Sequence, residues 1–146
     1  ASKNFFNQQK SKNTNNKITL KTMATKFFKC KKSDNIVVKL VDSATSCTCY
    51  DDSWVELVAN TVDASQEKHV PVVTKVDDNT IRVDVGSIEH PMAPEHHISF
   101  IYVETENGGM LKYLKDKPVA SFFVGDDKPI AVYEYCNLHG LWKTIL

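Results

Sequence analysis

From Ile36 to the end of the chain, apolar residues come in runs of four to eight, each closed off by turn-forming residues. None repeats with the 3.6-residue period of an amphipathic helix. Thr80-Ile81-Arg82-Val83-Asp84-Val85 alternates strictly, which predicts a strand with Ile81, Val83 and Val85 turned inward. Asp77-Asp78-Asn79 joins it to Val70–Val76 as a hairpin. Ile36–Val41, Ser53–Val58, Leu111–Leu114, Val119–Val124 and Ile130–Tyr135 have strand length and β-rich composition. The nearly unbroken apolar run Ile98–Val103 predicts a central strand. Seven or eight short strands with regularly spaced turns predict an all-β antiparallel β-sandwich.

The chain's 146 residues suffice for one ordinary domain. Lysine plus arginine and aspartate plus glutamate number 18 each, so no bulk charge points to nucleic acid. No apolar run approaches the roughly 18 residues that cross a bilayer. Up to Cys30 there are seven lysines, no acid and no apolar stretch of the secretory type, which predicts a solvated polar tail. Met23 could start a shorter form. With no secretory signal and no Asn-x-Ser/Thr site, a reducing compartment is expected for Cys30, Cys47, Cys49 and Cys136.

All five histidines fall in or beside the connections between runs: His69, His90, His96, His97 and His139. Cys136 stands three residues before His139. Imidazole and thiolate together suit zinc, copper, nickel or iron. Four imidazoles plus a thiolate exceed the four ligands of a structural zinc site, whereas five donors with a sixth position open would suit iron that meets a small molecule. Cys-x-x-His alone also occurs in zinc sites, and a lone loop histidine is usually an ordinary surface residue. A His/Cys metal site is the expectation, with structural zinc and an electron-transfer iron as alternatives.

Three pieces resemble the superoxide reductase family, which includes desulfoferrodoxins and neelaredoxins. They are Glu67-Lys68-His69-Val70-Pro71, His90-Pro91-Met92 with His96 six residues after His90, and Cys136-Asn137-Leu138-His139-Gly140. The resemblance runs from about Thr61 to Lys143. It implies an immunoglobulin-like sandwich and one iron per chain, with His69, His90, His96 and His139 as equatorial ligands and Cys136 as axial thiolate. Glu67 and Lys68 match the pair that flanks the reactive face in the family. His97 is expected to be a packing or surface residue.

The implied reaction is one-electron reduction of superoxide to hydrogen peroxide. An external rubredoxin-like donor would supply electrons, in a cytoplasmic homodimer or homotetramer with no nucleic-acid or membrane partner. The resemblance breaks down toward the amino terminus. Two-iron relatives carry Cys-x-x-Cys and an adjacent cysteine pair there. This chain has Cys30-Lys31-Lys32-Ser33 and Cys47-Thr48-Cys49, one thiolate short of an FeS4 site. The expected organisation is an extension over residues 1–22, a short degenerate amino-terminal module over 23–60 and the iron-binding sandwich over 61–146.

Overall fold

The computed structural model describes residues 25–41 and 52–146. The predicted extension at 1–22, Met23, Cys47 and Cys49 lie outside the described residues.

The alternating segment forms β5 (Thr80–Val85), with Ile81, Val83 and Val85 buried at 7%, 0% and 1% exposure. On the outer face, Arg82 grips Asp84 through two hydrogen bonds of 2.8 and 2.7 Å. β5 pairs antiparallel with β4 (Pro71–Lys75) on one side and β8 (Val119–Phe123) on the other. The second sheet runs β10-β9-β6-β7, built from β6 (Ile98–Thr105), β7 (Gly109–Tyr113), β9 (Pro129–Cys136) and β10 (Gly140–Ile145). Ile81, Val83 and Val85 of the first sheet share one apolar core with Ile98, Ile101, Val103 and Val132 of the second. The sandwich is therefore antiparallel and all-β, as the alternation predicts.

β6 lies inside its sheet, and its unbroken apolar run has a specific cause. One face points into the sandwich. The other, carrying Phe100 and Tyr102, packs with Tyr133 and Tyr135 of β9 around Phe27. Antiparallel sheets commonly leave one face to solvent; here a second layer covers it. That layer is β2-β1-β3, made of β1 (Lys26–Cys30), β2 (Ile36–Lys39) and β3 (Trp54–Leu57).

The predicted tail up to Cys30 thus needs correction over its last residues. Lys26–Cys30 is the central strand of the added sheet, and Phe27 is only 3% exposed. Its ring stacks on Phe100 at 5.8 Å and meets Tyr102 edge-on at 5.6 Å. Tertiary burial of one aromatic residue outweighs the polar composition around it.

Two further elements escape the pattern. β10 opens on a turn glycine, Gly140, and buries two consecutive residues, Leu141 and Trp142, so it carries no clean alternation. Its edge is engaged by Asn60, whose side chain bonds both the N–H (2.8 Å) and the carbonyl (3.1 Å) of Lys143. α1 (Gln66–His69) is a single turn, too short to leave a period. Pro71 disfavours helical geometry at Val70, which adopts φ −61° and ψ 121°, and the chain passes directly into β4.

Candidate metal centre

Strand register brings five donor groups to one end of the sandwich. Pro71 at the start of β4 pairs with Val85 at the end of β5. Ile98 at the start of β6 and Gly140 at the start of β10 both pair with Cys136 at the end of β9. His69 closes α1 just before β4, His90 and His96 lie in the β5–β6 connection, and His139 lies in the β9–β10 turn. Cys-x-x-His is thus a hairpin device: the three-residue turn folds His139 back beside the last residue of β9. Gly140 takes φ +73°, which this reversal requires.

The donor atoms of His69, His90, His96, His139 and Cys136 all lie within 4.8 Å of one another. The four imidazoles form a closed ring, with neighbouring centroids 4.8 Å (His69–His90), 4.5 Å (His90–His96), 4.9 Å (His96–His139) and 4.8 Å (His139–His69) apart. Adjacent planes stand 69° to 83° to each other. The diagonal His69–His96 distance of 6.5 Å is close to that of a square with those sides. The sulfur of Cys136 lies 3.5 Å from His90 Nε2 and 3.6 Å from His139 Nδ1, hence almost equidistant from opposite corners.

Hydrogen bonding fixes which nitrogens face inward. His69 Nδ1 lies 2.7 Å from the Ser65 carbonyl and His90 Nδ1 lies 2.7 Å from the Pro91 carbonyl. Each ring therefore donates its Nδ1–H to a carbonyl and turns a lone pair on Nε2 inward. Those two Nε2 atoms are 3.2 Å apart. His96 Nε2 is buried without a partner. Converging lone pairs without a proton between them repel; a cation resolves the conflict.

Burial pushes the His90 imidazole down to about 4, and also lowers His69 and His96. These rings are neutral and ready to bind at pH 7. Cys136, 0% exposed, has its thiol raised by burial, while the backbone N–H groups of His139 and Leu138 pull the other way. A cation must displace that proton. The donor set fits iron: five donors overfill tetrahedral zinc, and a soft thiolate among imidazoles suits a redox metal.

Glu67 and Lys68 sit exposed on α1, immediately before His69. The Lys68 charge contributes to the lowering at His96, and the Glu67 charge acts on His69, so both are within electrostatic reach of the ring. The 86–88 loop holds the turn that carries them. Ile88 N–H donates to the Glu67 carbonyl at 2.9 Å, Ser87 Oγ donates to the same carbonyl at 3.3 Å, and Gly86 N–H donates to Val70 O at 3.2 Å. His97 stays out of the cluster, with its ring against the carbonyls of Ala93 and Pro94.

Sequence reasoning gave no role to three neighbours of the centre. Trp142 stacks on His69 at 4.9 Å, and its Nε1–H donates to the His139 carbonyl at 3.0 Å. Glu134 is 0% exposed and neither carboxyl oxygen has a partner; burial raises it well above the carboxylate range, so it stands as a neutral acid two residues before Cys136. Met92 accepts the Ile98 N–H on its sulfur. Only the buried acid breaks the apolar pattern of β9 visibly in the sequence.

Residues 61–145 match the desulfoferrodoxin family. The desulfoferrodoxin of Clostridium acetobutylicum is 47% identical over 120 residues, covering 81% of this chain and 94% of the relative. The superoxide reductase of Pyrococcus horikoshii is 35% identical over 97 residues, 53% of this chain and 84% of the relative. Among solved structures, the superoxide reductase from Treponema pallidum superposes with a TM-score of 0.64 at 34% identity, covering 81% of this chain and 98% of that one.

Proposed function

The chain belongs to the desulfoferrodoxin family, and from that premise we propose that it reduces superoxide to hydrogen peroxide at one iron held by His69, His90, His96, His139 and Cys136. The carrying observation is the square of four imidazoles with the Cys136 sulfur almost equidistant from opposite corners. Iron bound there supplies the single electron that superoxide takes up.

The remaining work falls to the protein. Lys68 places a positive charge beside the ring and draws in the small anion. Its ammonium group also orders water that delivers protons to the product. Glu67 sets the opposite charge on the same turn. The backbone N–H groups of Leu138 and His139 support negative charge on the Cys136 sulfur and so tune its donor strength. The carbonyls of Ser65 and Pro91 hold the His69 and His90 rings in the binding tautomer.

The same reading includes a rubredoxin-like electron carrier as reductant and a role in removing superoxide in the cytoplasm. It also includes an immunoglobulin-like sandwich assembled as a homodimer or homotetramer. Residues 23–60 act as a degenerate module without an FeS4 centre, since Ser33 follows Cys30 where a second thiolate would be needed.

Single-turnover reaction of the pre-reduced, iron-loaded protein with superoxide tests the proposal. Peroxide without oxygen, with a thiolate-to-iron charge-transfer band that disappears in Cys136→Ser, is the expected result. Equal amounts of oxygen and peroxide would mean dismutation. No reaction, with zinc the only metal retained, would mean a structural site.

A further inference from the structure

Met92 lies between two of the four ring histidines, two residues after His90 and four before His96. Its sulfur accepts the N–H of Ile98 at 3.4 Å, and its side chain packs on the core cluster that includes Ile98 and Cys136. The loop is also held by the reciprocal pair of 3.0 Å hydrogen bonds between Ala93 and His96 and by the Asn137 side-chain N–H, which donates to the Glu95 carbonyl at 3.0 Å. The Met92 thioether is the tie between the histidine-bearing loop and the first residue of β6, whose backbone pairs with Cys136. Met92 is only half-buried.

We propose that Met92 is an oxidation site at which hydrogen peroxide switches the metal centre off. This rests on the proposed reaction for the local source of peroxide. One lone pair of the sulfur faces the Ile98 N–H. The other attacks one peroxide oxygen, the O–O bond breaks, and an S=O bond forms. The second oxygen leaves with both protons as water; sulfur loses two electrons and peroxide gains them. The product is a bulkier, polar sulfoxide that no longer fits the packing of Met92 on the core cluster and disturbs its contact with the Ile98 N–H. The loop shifts to relieve it, and His90 and His96 leave their corners of the ring.

Met110 provides an internal comparison. It is also half-buried and packs on the same core, but it sits on β7 opposite Val103, five residues along β6 from Ile98. At strand rise that is about 17 Å from the loop attachment.

The test uses the full iron-loaded chain in two arms: turnover with superoxide, with and without catalase, and direct titration with hydrogen peroxide. Peptide mass mapping reads sulfoxide at Met92 and Met110, and metal analysis reads retained iron. Met92 sulfoxide should form several-fold ahead of Met110 during turnover and fall away with catalase. Iron loss should track Met92 sulfoxide in both arms, and Met92→Leu should keep its iron under peroxide. Met92 sulfoxide with full iron retention would overturn the proposal, as would Met110 oxidising while Met92 stays a thioether. If superoxide yields no peroxide, the proposed reaction fails, and the titration arm still decides the fate of Met92. The mapping is done on the unsubstituted protein, so it does not depend on the Leu variant folding.

Discussion

The indole of Trp142 lies nearly flat on the imidazole of His69, with centroids 4.9 Å apart and planes 20° from parallel, while its N–H donates to the carbonyl of His139. One buried side chain thus holds two of the four ring histidines, from elements 70 residues apart in sequence. Trp142→Phe keeps a stacking ring and loses the donor. It should weaken metal binding by about tenfold, in line with other groups that orient metal ligands. Trp142→Ala loses both and should also cost about 3–5 kcal/mol of stability. Metal competition titrations and chemical denaturation separate the two effects.

Acid should unfold the metal-free protein early. His90 is held from 6.5 down to about 4 by burial, so between those values the unfolded chain binds a proton that the folded chain refuses. Stability is therefore full above pH 6.5 and falls as the pH drops toward 4, by about 3 kcal/mol from this group alone. His69 and His96 shift in the same direction and add to the loss. Metal competes with those protons, so the loaded protein should keep its stability to lower pH. Denaturant midpoints at pH 7, 6 and 5, with and without metal, check this.

The sandwich was legible because β5 alternates and because each turn is punctuated by glycine, proline or aspartate. The ring of donors was legible because histidine and cysteine are scarce residues whose placement in connections stands out. What supports the ring was not. Trp142 looks like an ordinary core residue, and its contact with His69 exists only after β10 pairs with β9 and α1 docks beside it. Phe27 sits in a lysine-rich stretch that reads as solvated; only the covered outer face of β6 and β9 explains it. Glu134 is an acid in a strand interior, and sequence periodicity cannot tell whether such a residue has a partner.

Phe27 should carry the docking of the amino-terminal sheet. It fills the centre of the cluster formed by Phe100, Tyr102 and Tyr133, and nearby the Glu104 carboxylate accepts from the Thr25 N–H and the Tyr133 hydroxyl. Phe27→Ala should cost about 3–5 kcal/mol. Because the cluster lies on the face of the sheet opposite the core, the metal spectrum should stay unchanged while the thermal midpoint falls.

Lys68 should act through its charge. A unit charge about 4 Å from an anion at a protein surface contributes on the order of 1–4 kcal/mol between the limits of bulk water and an intermediate dielectric. Even the lower figure makes Lys68→Ala about fivefold slower toward superoxide, with a weaker dependence on ionic strength. Lys68→Arg should keep most of the rate. Pulse-generated superoxide at varied salt reads both quantities, and an unchanged salt slope in Lys68→Ala would remove the residue from the mechanism.

Gly86 should govern where Lys68 and Glu67 stand. It occupies φ +78°, and a Cβ there would lie 2.7 Å from the Glu67 carbonyl oxygen, 2.7 Å from the Lys68 carbonyl carbon and 2.6 Å from the Ile88 oxygen. All three atoms are backbone, so a side-chain rotation cannot relieve the clash. Gly86→Ala must push α1 away from the 86–88 loop and strain the left-handed conformation, the second term alone costing about 1–2 kcal/mol. His69, at the end of that turn, moves with it. The variant should lose stability and bind metal more weakly, and its superoxide rate should become less sensitive to salt as Lys68 leaves its place. A fully stable variant with an unshifted salt slope would show instead that the turn carrying Lys68 is free to adjust.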